Sequence, residues 1–299
     1  MSGLIFGGGY LGRKLTEELG IPLTYYRVSQ KNNIYDPIES MKLKYNFIEH
    51  IESQKPDFVI NAIGKTGGEG AIGIDWCENN KKETVKSNVS AARVLAEACA
   101  KLGVYFVHLG SGCIYNGYPE DGYKEEDTPN MEGQFYALSK MWAEEKIKQV
   151  KNLYPNFEYL ILRIRMPVDN KPHKRNLITK LLKYPEVIDA PNSMTVIPEA
   201  IPVINRLVER KYTGILNFVN PGLISAYEIM GMYQEIVDEN HNFSKLSLEN
   251  LDKKVQAARS NCFLNTDKLQ EFLRNENLKM LDIQESVRNC LMEYARCLE

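Results

Sequence analysis

An apolar run, GLIF (3–6), passes directly into GGGYLG (7–12), and a helical pattern, YLGRKLTEELG (10–20), begins before the glycines end. Gly7, Gly9 and Gly12 fit the spacing G-x-G-x-x-G between a strand and a helix. Glycine allows the tight turn and lets the backbone come close to an anion. The helix start then offers free N–H groups and the positive end of its dipole. This opening predicts a dinucleotide-binding α/β fold, with Gly7, Gly9, Tyr10, Leu11 and Gly12 at the pyrophosphate. The competing reading is a glycine turn that serves only the fold.

The chain beyond it alternates in the same way. PLTYYRV (22–28) and DFVINA (57–62) read as strands around a helix over 41–56 that Pro56 stops. A Gly-rich loop (64–73) precedes a long helix from about Lys81 to Leu102. In that helix Val85, Val89, Ala92, Leu95, Ala96 and Cys99 keep helical spacing, and Gly103 ends it. VYFVHL (104–109) is a strand, 135–153 a helix, and 157–165 and 214–219 two further strands. Strands alternating with helices predict a Rossmann-like parallel sheet with helices on both faces. The Pro-punctuated remainder predicts a smaller, mixed, substrate-binding lobe. The dinucleotide domain is placed at 1–165 with a strand at 213–220 returning to it, and the second lobe at 166–212 and 221–299.

The second strand region, TYYRVSQK (24–31), lacks the acid that NAD binders place there for the ribose 2′-OH, and it carries Arg27. A cation suits a 2′-phosphate, so NADP(H) is favoured over NAD(H); a solvated surface arginine is the alternative. Asp36 is a candidate for the adenine end, and Asn61 and Ala62, at the end of DFVINA, for the nicotinamide half.

Tyr136 and Lys140 stand one helical turn apart on one face. An ammonium near a phenol favours phenolate and lowers its pKa, which makes Tyr136 a proton donor to a carbonyl that takes hydride. Upstream, GSGCIYNG (110–117) sets Ser111 and Cys113 two residues apart at a strand end, where side chains point the same way if the strand continues. Ser111 is then a second hydrogen-bond donor to the carbonyl oxygen. Cys113 is either a small buried hydrophobe or an acid/base, since a thiol titrates near ~8.5. The Ser, Tyr and Lys set resembles that of short-chain dehydrogenases/reductases, and the resemblance implies that Asn88, in the long helix, supports the site near substrate; on the residues alone it reads as an ordinary exposed helix residue.

Bulk properties narrow the partners. The 299 residues are 43% apolar with a formal net charge of −2, so neither nucleic acid nor an anionic membrane is an electrostatic partner. No apolar run reaches the ~20 residues of a membrane span. No basic, apolar leader precedes the first strand, so a cytoplasmic protein is expected. The six cysteines form no CxxC pair and the four histidines fall at no metal-ligand spacing, so free thiols and no metal site are expected.

With these residues placed, the chain resembles an extended short-chain dehydrogenase/reductase of the deoxysugar branch. It is similar to the dTDP-4-dehydrorhamnose reductases and, more closely, to the plant-type bifunctional 3,5-epimerase/4-reductases of nucleotide-rhamnose synthesis. The segments that carry the closer likeness are 75–84, 124–140, 162–168, 175–180 (RNLITK), 189–197, 213–222 and 258–269. The resemblance implies a nucleotide-4-keto-6-deoxyglucose, with UDP favoured over dTDP, epimerised at C3 and C5 and then reduced at C4 by NADPH. The Ser111–Cys113 segment also resembles that of GDP-L-fucose synthase, where the matching cysteine serves epimerisation. Lys180 matches the second epimerisation residue; without the resemblance it reads as a solvated helix lysine. Asn192 and Thr195 are implied for the sugar site and Arg259 and Asn261 for the nucleotide diphosphate; each is equally readable as a surface or capping residue. A homodimer through 81–102 and 135–153 is implied as well. The competing functions are a reductase alone and a non-catalytic, NADP-binding regulatory subunit.

The likeness is incomplete in three places. The glycine loop is one residue shorter than the family's usual GxxGxxG. Reductases without epimerase activity often carry S-T-D-Y where this chain has Gly110-Ser111-Gly112-Cys113, which favours bifunctionality. The loop before Cys77 is longer than its plant counterpart.

Overall fold

The computed structural model describes residues 1–24, 37–68, 71–247, 250–251 and 254–298. Its centre is a six-stranded sheet of order β2-β1-β3-β6-β7-β9. The strands are β1 (Gly3–Phe6), β2 (Leu23–Thr24), β3 (Phe58–Asn61), β6 (Tyr105–Leu109), β7 (Tyr159–Arg163) and β9 (Gly214–Asn217). β1 pairs in parallel with β2 and β3, β3 with β6, and β6 with β7. The register sets Phe6 beside Asn61 and Asn61 beside His108, so the carboxyl ends of β1, β3 and β6 lie level. In open α/β sheets ligands bind outside that edge.

The helices that cover these strands follow from their apolar spacing. α1 (Tyr10–Leu19) ends on Gly20, which is left-handed at φ 64°. α2 (Pro37–Gln54) starts four residues before the helix read from sequence. The short α3 (Asp75–Asn79) leads into α4, which runs through Lys81–Val85, a π-helical turn at Lys86–Ser90 and Ala91–Leu102. Gly103 ends α4 at φ 68°. α5 spans Phe135–Leu153. Leu4, Phe6, Val59, Phe106 and Ile161 form one sheet face and join Phe47, Leu95, Cys99, Ile147 and Val150 in a single buried cluster. The alternate residues Ile5, Ile60, Val107 and Leu160 are equally buried, as both faces of a parallel sheet require. The Gly-rich loop of the sequence reading contains a small antiparallel ladder, β4 (Gly67–Gly68) with β5 (Ala71–Ile72).

Two compact units divide the chain. The first comprises 1–114, 132–162 and 205–215, the second 115–131, 163–204 and 216–299. The second has its own core, in which Val168, Ile178, Met194, Ile229, Met230, Val287 and Leu291 are buried together. It contains α6 (Leu177–Leu181), β8 (Glu186–Ile188), α8 (Ala226–Ile236), β10 (Ser244–Leu246), α9 (Asp267–Asn275) and α10 (Ile283–Arg296). α7 (Ile197–Glu209) supplies residues to both units. The domain expectation had assigned 115–131 to the dinucleotide half. Hydrogen bonds decide otherwise: Gly117 N donates to Asn261 O at 2.8 Å and Tyr123 N to Phe263 O at 2.8 Å. No helix among the described residues is long and apolar enough to cross a membrane.

Candidate active site

At the end of β1 the chain turns at Gly7, whose φ of 121° suits glycine and where a Cβ would collide with the Ala62 backbone. A Cβ on Gly12 would collide with Gly7 O. These two glycines close the turn on itself. Gly9 differs: it is exposed, and a Cβ there would meet nothing within 4 Å. Gly9 is also the N-cap of α1, with no side-chain cap for the first helical N–H groups, and Tyr10 and Leu11 form the helix's half-buried first turn. An open glycine at an uncapped helix start fits an anionic pyrophosphate. Arg27 and Asp36, assigned to the 2′-phosphate and the adenine end, lie outside the described residues.

Asn61 takes a different place from the one expected. Its side chain is fully buried, Oδ1 accepts from Ile63 N at 3.0 Å, and Nδ2 lies 3.0 Å from His108 Nδ1. The amide therefore shapes the backbone after β3. Burial, and then the Lys140 charge, hold His108 well below its ordinary pKa, as a neutral ring.

Ser111 and Cys113 do not continue β6, which stops at Leu109. The chain turns instead, and Cys113 N donates to Ser111 Oγ at 3.2 Å. The pairing inferred from strand alternation is thus made by a side-chain-to-backbone turn. Ser111 is buried; Cys113 is half-exposed and a free thiol. Tyr136 and Lys140 are buried on the first turns of α5. Lys140 Nζ donates to Leu109 O at 3.1 Å, which ties the ammonium to the strand end that precedes Ser111.

The electrostatics correct one expectation. Burial pushes the Tyr136 phenol above its ordinary value, the nearby Cys113 adds to this, and a hydrogen bond with Ser111 pulls it back. Desolvation outweighs any lowering by the ammonium. Lys140 itself is brought down to about 8, first by burial, with Glu144 and Cys113 acting in the opposite direction. Ser111, Cys113, Tyr136 and Lys140 therefore form one coupled group within the first unit.

Asn88 sits on the π-helical turn of α4, fully buried. Its Oδ1 accepts from Lys65 N at 2.7 Å, while Nδ2 donates to Lys65 O at 3.2 Å and to Ser139 Oγ at 3.0 Å. These bonds commit both ends of the amide, so it braces the loop after β3 against α5. Ser139, Lys65, His108 and Glu144 are the participants that sequence reasoning missed.

In the second unit Asn192 and Thr195 are also committed. Asn192 Oδ1 accepts from Arg165 Nη2 and Cys262 N, and its Nδ2 donates to Ala190 O and Asn261 Oδ1. Thr195 Oγ1 donates to Phe218 O at 2.7 Å and accepts from Arg165 N at 3.0 Å. Both are buried braces, which corrects their assignment to the sugar site. Asn261 is half-buried beside Asn192, and Arg259 Nη1 donates to Ala257 O at 2.7 Å. Lys180, near the end of α6, is half-buried. Burial and the nearby Arg175 charge bring it down to about 8.

A glycine turn for an anion, beside a buried Ser–Tyr–Lys group, defines a nucleotide-dependent enzyme of the epimerase and dehydratase type. Residues 4–183 match the NAD dependent epimerase/dehydratase family, and the chain belongs to it. It is 36% identical to an Arabidopsis thaliana bifunctional dTDP-4-dehydrorhamnose 3,5-epimerase/dTDP-4-dehydrorhamnose reductase, over 97% of this chain and 92% of that one. It is 35% identical to an A. thaliana trifunctional UDP-glucose 4,6-dehydratase/UDP-4-keto-6-deoxy-D-glucose 3,5-epimerase/UDP-4-keto-L-rhamnose-reductase; the match covers 98% of this chain and 41% of that larger protein. The crystal structure of the L780 UDP-rhamnose synthase from Acanthamoeba polyphaga mimivirus superposes with a TM-score of 0.83 at 31% identity, over 97% of this chain and 99% of that one.

Proposed function

We propose that this protein converts a nucleotide-4-keto-6-deoxyglucose, with UDP as the nucleotide, to the nucleotide-L-rhamnose by 3,5-epimerisation and 4-reduction with NADPH. The observation that carries the reading is the turn that joins the half-exposed Cys113 thiol to Ser111, in electrostatic contact with Tyr136 and Lys140. The glycine turn Gly7, Gly9 and Gly12 would hold the cofactor pyrophosphate, and Arg27, outside the described residues, is the sequence's candidate for its 2′-phosphate. NADPH supplies hydride to C4. The activities of the relatives, at 36% identity over nearly the whole chain for the bifunctional one, support the same assignment.

Each chain residue then has a defined proton task. The C4 ketone acidifies the hydrogens on C3 and C5, so one acid/base pair serves both carbons. Cys113, as thiolate, removes the carbon-bound proton. Lys180, as ammonium, returns one to the other face and inverts the centre. In the reduction Ser111 Oγ donates a hydrogen bond to the ketone oxygen. Tyr136 donates its phenol proton to that oxygen, and the Lys140 ammonium stabilises the phenolate left behind. Arg259 and Asn261 bind the nucleotide diphosphate. Exposed Leu138 and Trp142 on α5 support a homodimer, which light scattering tests. Six free thiols suit a reducing, cytoplasmic setting.

The deciding experiment incubates the protein with UDP-4-keto-6-deoxyglucose in D2O without NADPH and follows C3 and C5 by NMR. Deuterium enters both carbons, and NADPH then yields UDP-L-rhamnose. Absence of deuterium followed by plain 4-reduction leaves a reductase alone and refutes the epimerase half.

A further inference from the structure

Lys140 and Glu144 stand one helical turn apart on α5, and both are buried. Lys140 Nζ is bound to Leu109 O at the end of β6. Glu144 approaches the next residue of the same segment: a Cβ on Gly110 would stand 3.5 Å from Glu144 Oε1 and 2.9 Å from Ile161 Cγ2. The carboxylate thus lies within ordinary van der Waals reach of the backbone that leads into Ser111, and Ile161 is the neighbour that a side chain at Gly110 would crowd. A carboxylate 3% exposed is unusual for glutamate, which is rarely buried without a charged partner.

We propose that Glu144 is a positioning residue for the reduction: its buried carboxylate, one turn beyond Lys140 and against Gly110, keeps Lys140 in the ammonium form beside Tyr136. Its functional meaning rests on the reductase reading above.

The groups around Lys140 define what Glu144 has to do. Burial is the largest influence and favours the neutral amine. His108 faces it from β6 and is neutral. From α4 comes the uncharged amide of Asn88, and from the loop after β3 the backbone of Gly64, where a Cβ would lie 3.6 Å from Nζ. Tyr136 lies on the same helix, and Cys113, in the turn after β6, favours the ammonium less than Glu144 does. Glu144 also acts on Tyr159 of β7, whose phenol is raised by burial and then by this carboxylate. Among these groups Glu144 is the one whose charge favours the Lys140 ammonium most. In a weakly polarisable interior, its removal leaves a buried cation without compensation.

The test follows the 13Cε shift of Lys140 in 13C-lysine-labelled protein against pH, without cofactor or substrate, for wild type, Glu144→Gln and Glu144→Asp. Lys140 is expected to titrate near 8 in wild type, about one pH unit or more lower in Glu144→Gln, and between the two in Glu144→Asp. The alkaline limb of the reduction rate moves down with it, while KM for the sugar nucleotide stays within about twofold. A Lys140 midpoint unchanged in a natively folded Glu144→Gln protein overturns the proposal. If that variant does not fold, the 13Cδ shift of Glu144 in wild type decides: ionised at pH 6–9 supports the proposal, protonated refutes it. Loss of the rhamnose-forming reading would show as a wild-type protein inert toward the 4-keto sugar. The Lys140 titration is independent of that outcome.

Discussion

Asn88 Nδ2 donates to Ser139 Oγ at 3.0 Å, and Ser139 Oγ donates in turn to Tyr136 O at 2.7 Å. A side chain on the π-helical turn of α4 is thereby tied to the helical turn that carries Tyr136, the proposed proton donor. The same amide clamps both backbone polar groups of Lys65. Asn88→Ala removes three hydrogen bonds at once, one of them buried. It is expected to cost about 1–3 kcal/mol in urea denaturation. Reduction is expected to slow by about 10–100-fold, because small displacements of a proton donor are costly. Wild-type reduction by a destabilised variant would show that the brace serves the fold alone.

The glycine turn separates two kinds of glycine, and substitution distinguishes them. Gly12→Ala drives a Cβ into Gly7 O, so the turn must open; a lower Tm and lost NADPH binding are expected together. Gly9→Ala places its methyl group in open space at the uncapped start of α1. Its Tm is expected to stay within ~2 °C, as for a surface change of about 0.5 kcal/mol or less. NADPH affinity, measured by calorimetry, is expected to fall by about tenfold or more as the pyrophosphate loses its close approach. Unchanged affinity in Gly9→Ala would place the cofactor elsewhere.

Cys113→Ala and Tyr136→Phe should divide the two half-reactions. With Cys113→Ala, deuterium no longer enters C3 and C5, yet a pre-epimerised ketone is still reduced by NADPH. With Tyr136→Phe, the exchange persists and reduction falls by about 10²–10⁴-fold, the range of a lost general acid. Exchange that survives Cys113→Ala would take the thiol out of the chemistry. Since Cys113 is half-exposed, little stability is expected to be lost in that variant.

The legibility of this chain followed the range of the interactions. Strand and helix bounds governed by nearest neighbours were readable: GLIF became β1, and Gly20 and Gly103 both end helices in the left-handed conformation. The π-helical turn at Lys86–Ser90 was not, because one extra residue in a turn barely disturbs a 3.6-residue apolar period. Ser111 and Cys113 were paired for the wrong reason, since no local signal told a strand end from a turn at Gly110. Segment 115–131 was misassigned because its partners, Asn261–Asn265, lie over a hundred residues away in sequence. Glu144 was invisible for a third reason: beside Glu145 it reads as a solvated pair of acids, and only packing shows that it points inward.

Thr195→Val tests a role that the structure moved from substrate to scaffold. The hydroxyl joins Phe218 O to Arg165 N inside the second unit. Its loss leaves both backbone groups short of a partner, at about 1–3 kcal/mol. Chemical denaturation is expected to register this loss, while KM for the sugar nucleotide changes less than about twofold. A large rise in KM at wild-type stability would restore Thr195 to the sugar site.

With Lys180 in its proposed role, epimerisation is expected to have its own pH limit. Burial and Arg175 disfavour the ammonium and bring the group down to about 8, from the 10.5 of a free lysine. The sign follows from its task. In the proposed mechanism Lys180 returns a proton, so it would work as the ammonium, which predominates below that value and is lost as the pH rises through it. Net inversion at C3 and C5 is therefore expected to decline above about pH 8, measured as the initial rate of rhamno-configured ketone formation without NADPH. Arg175→Gln removes the neighbouring positive charge and moves this decline to higher pH. Lys180→Met abolishes inversion at every pH, yet deuterium exchange with retained configuration persists, because Cys113 can still remove a proton and return a deuteron on its own face. Inversion that continues in Lys180→Met would assign the returning proton to another group.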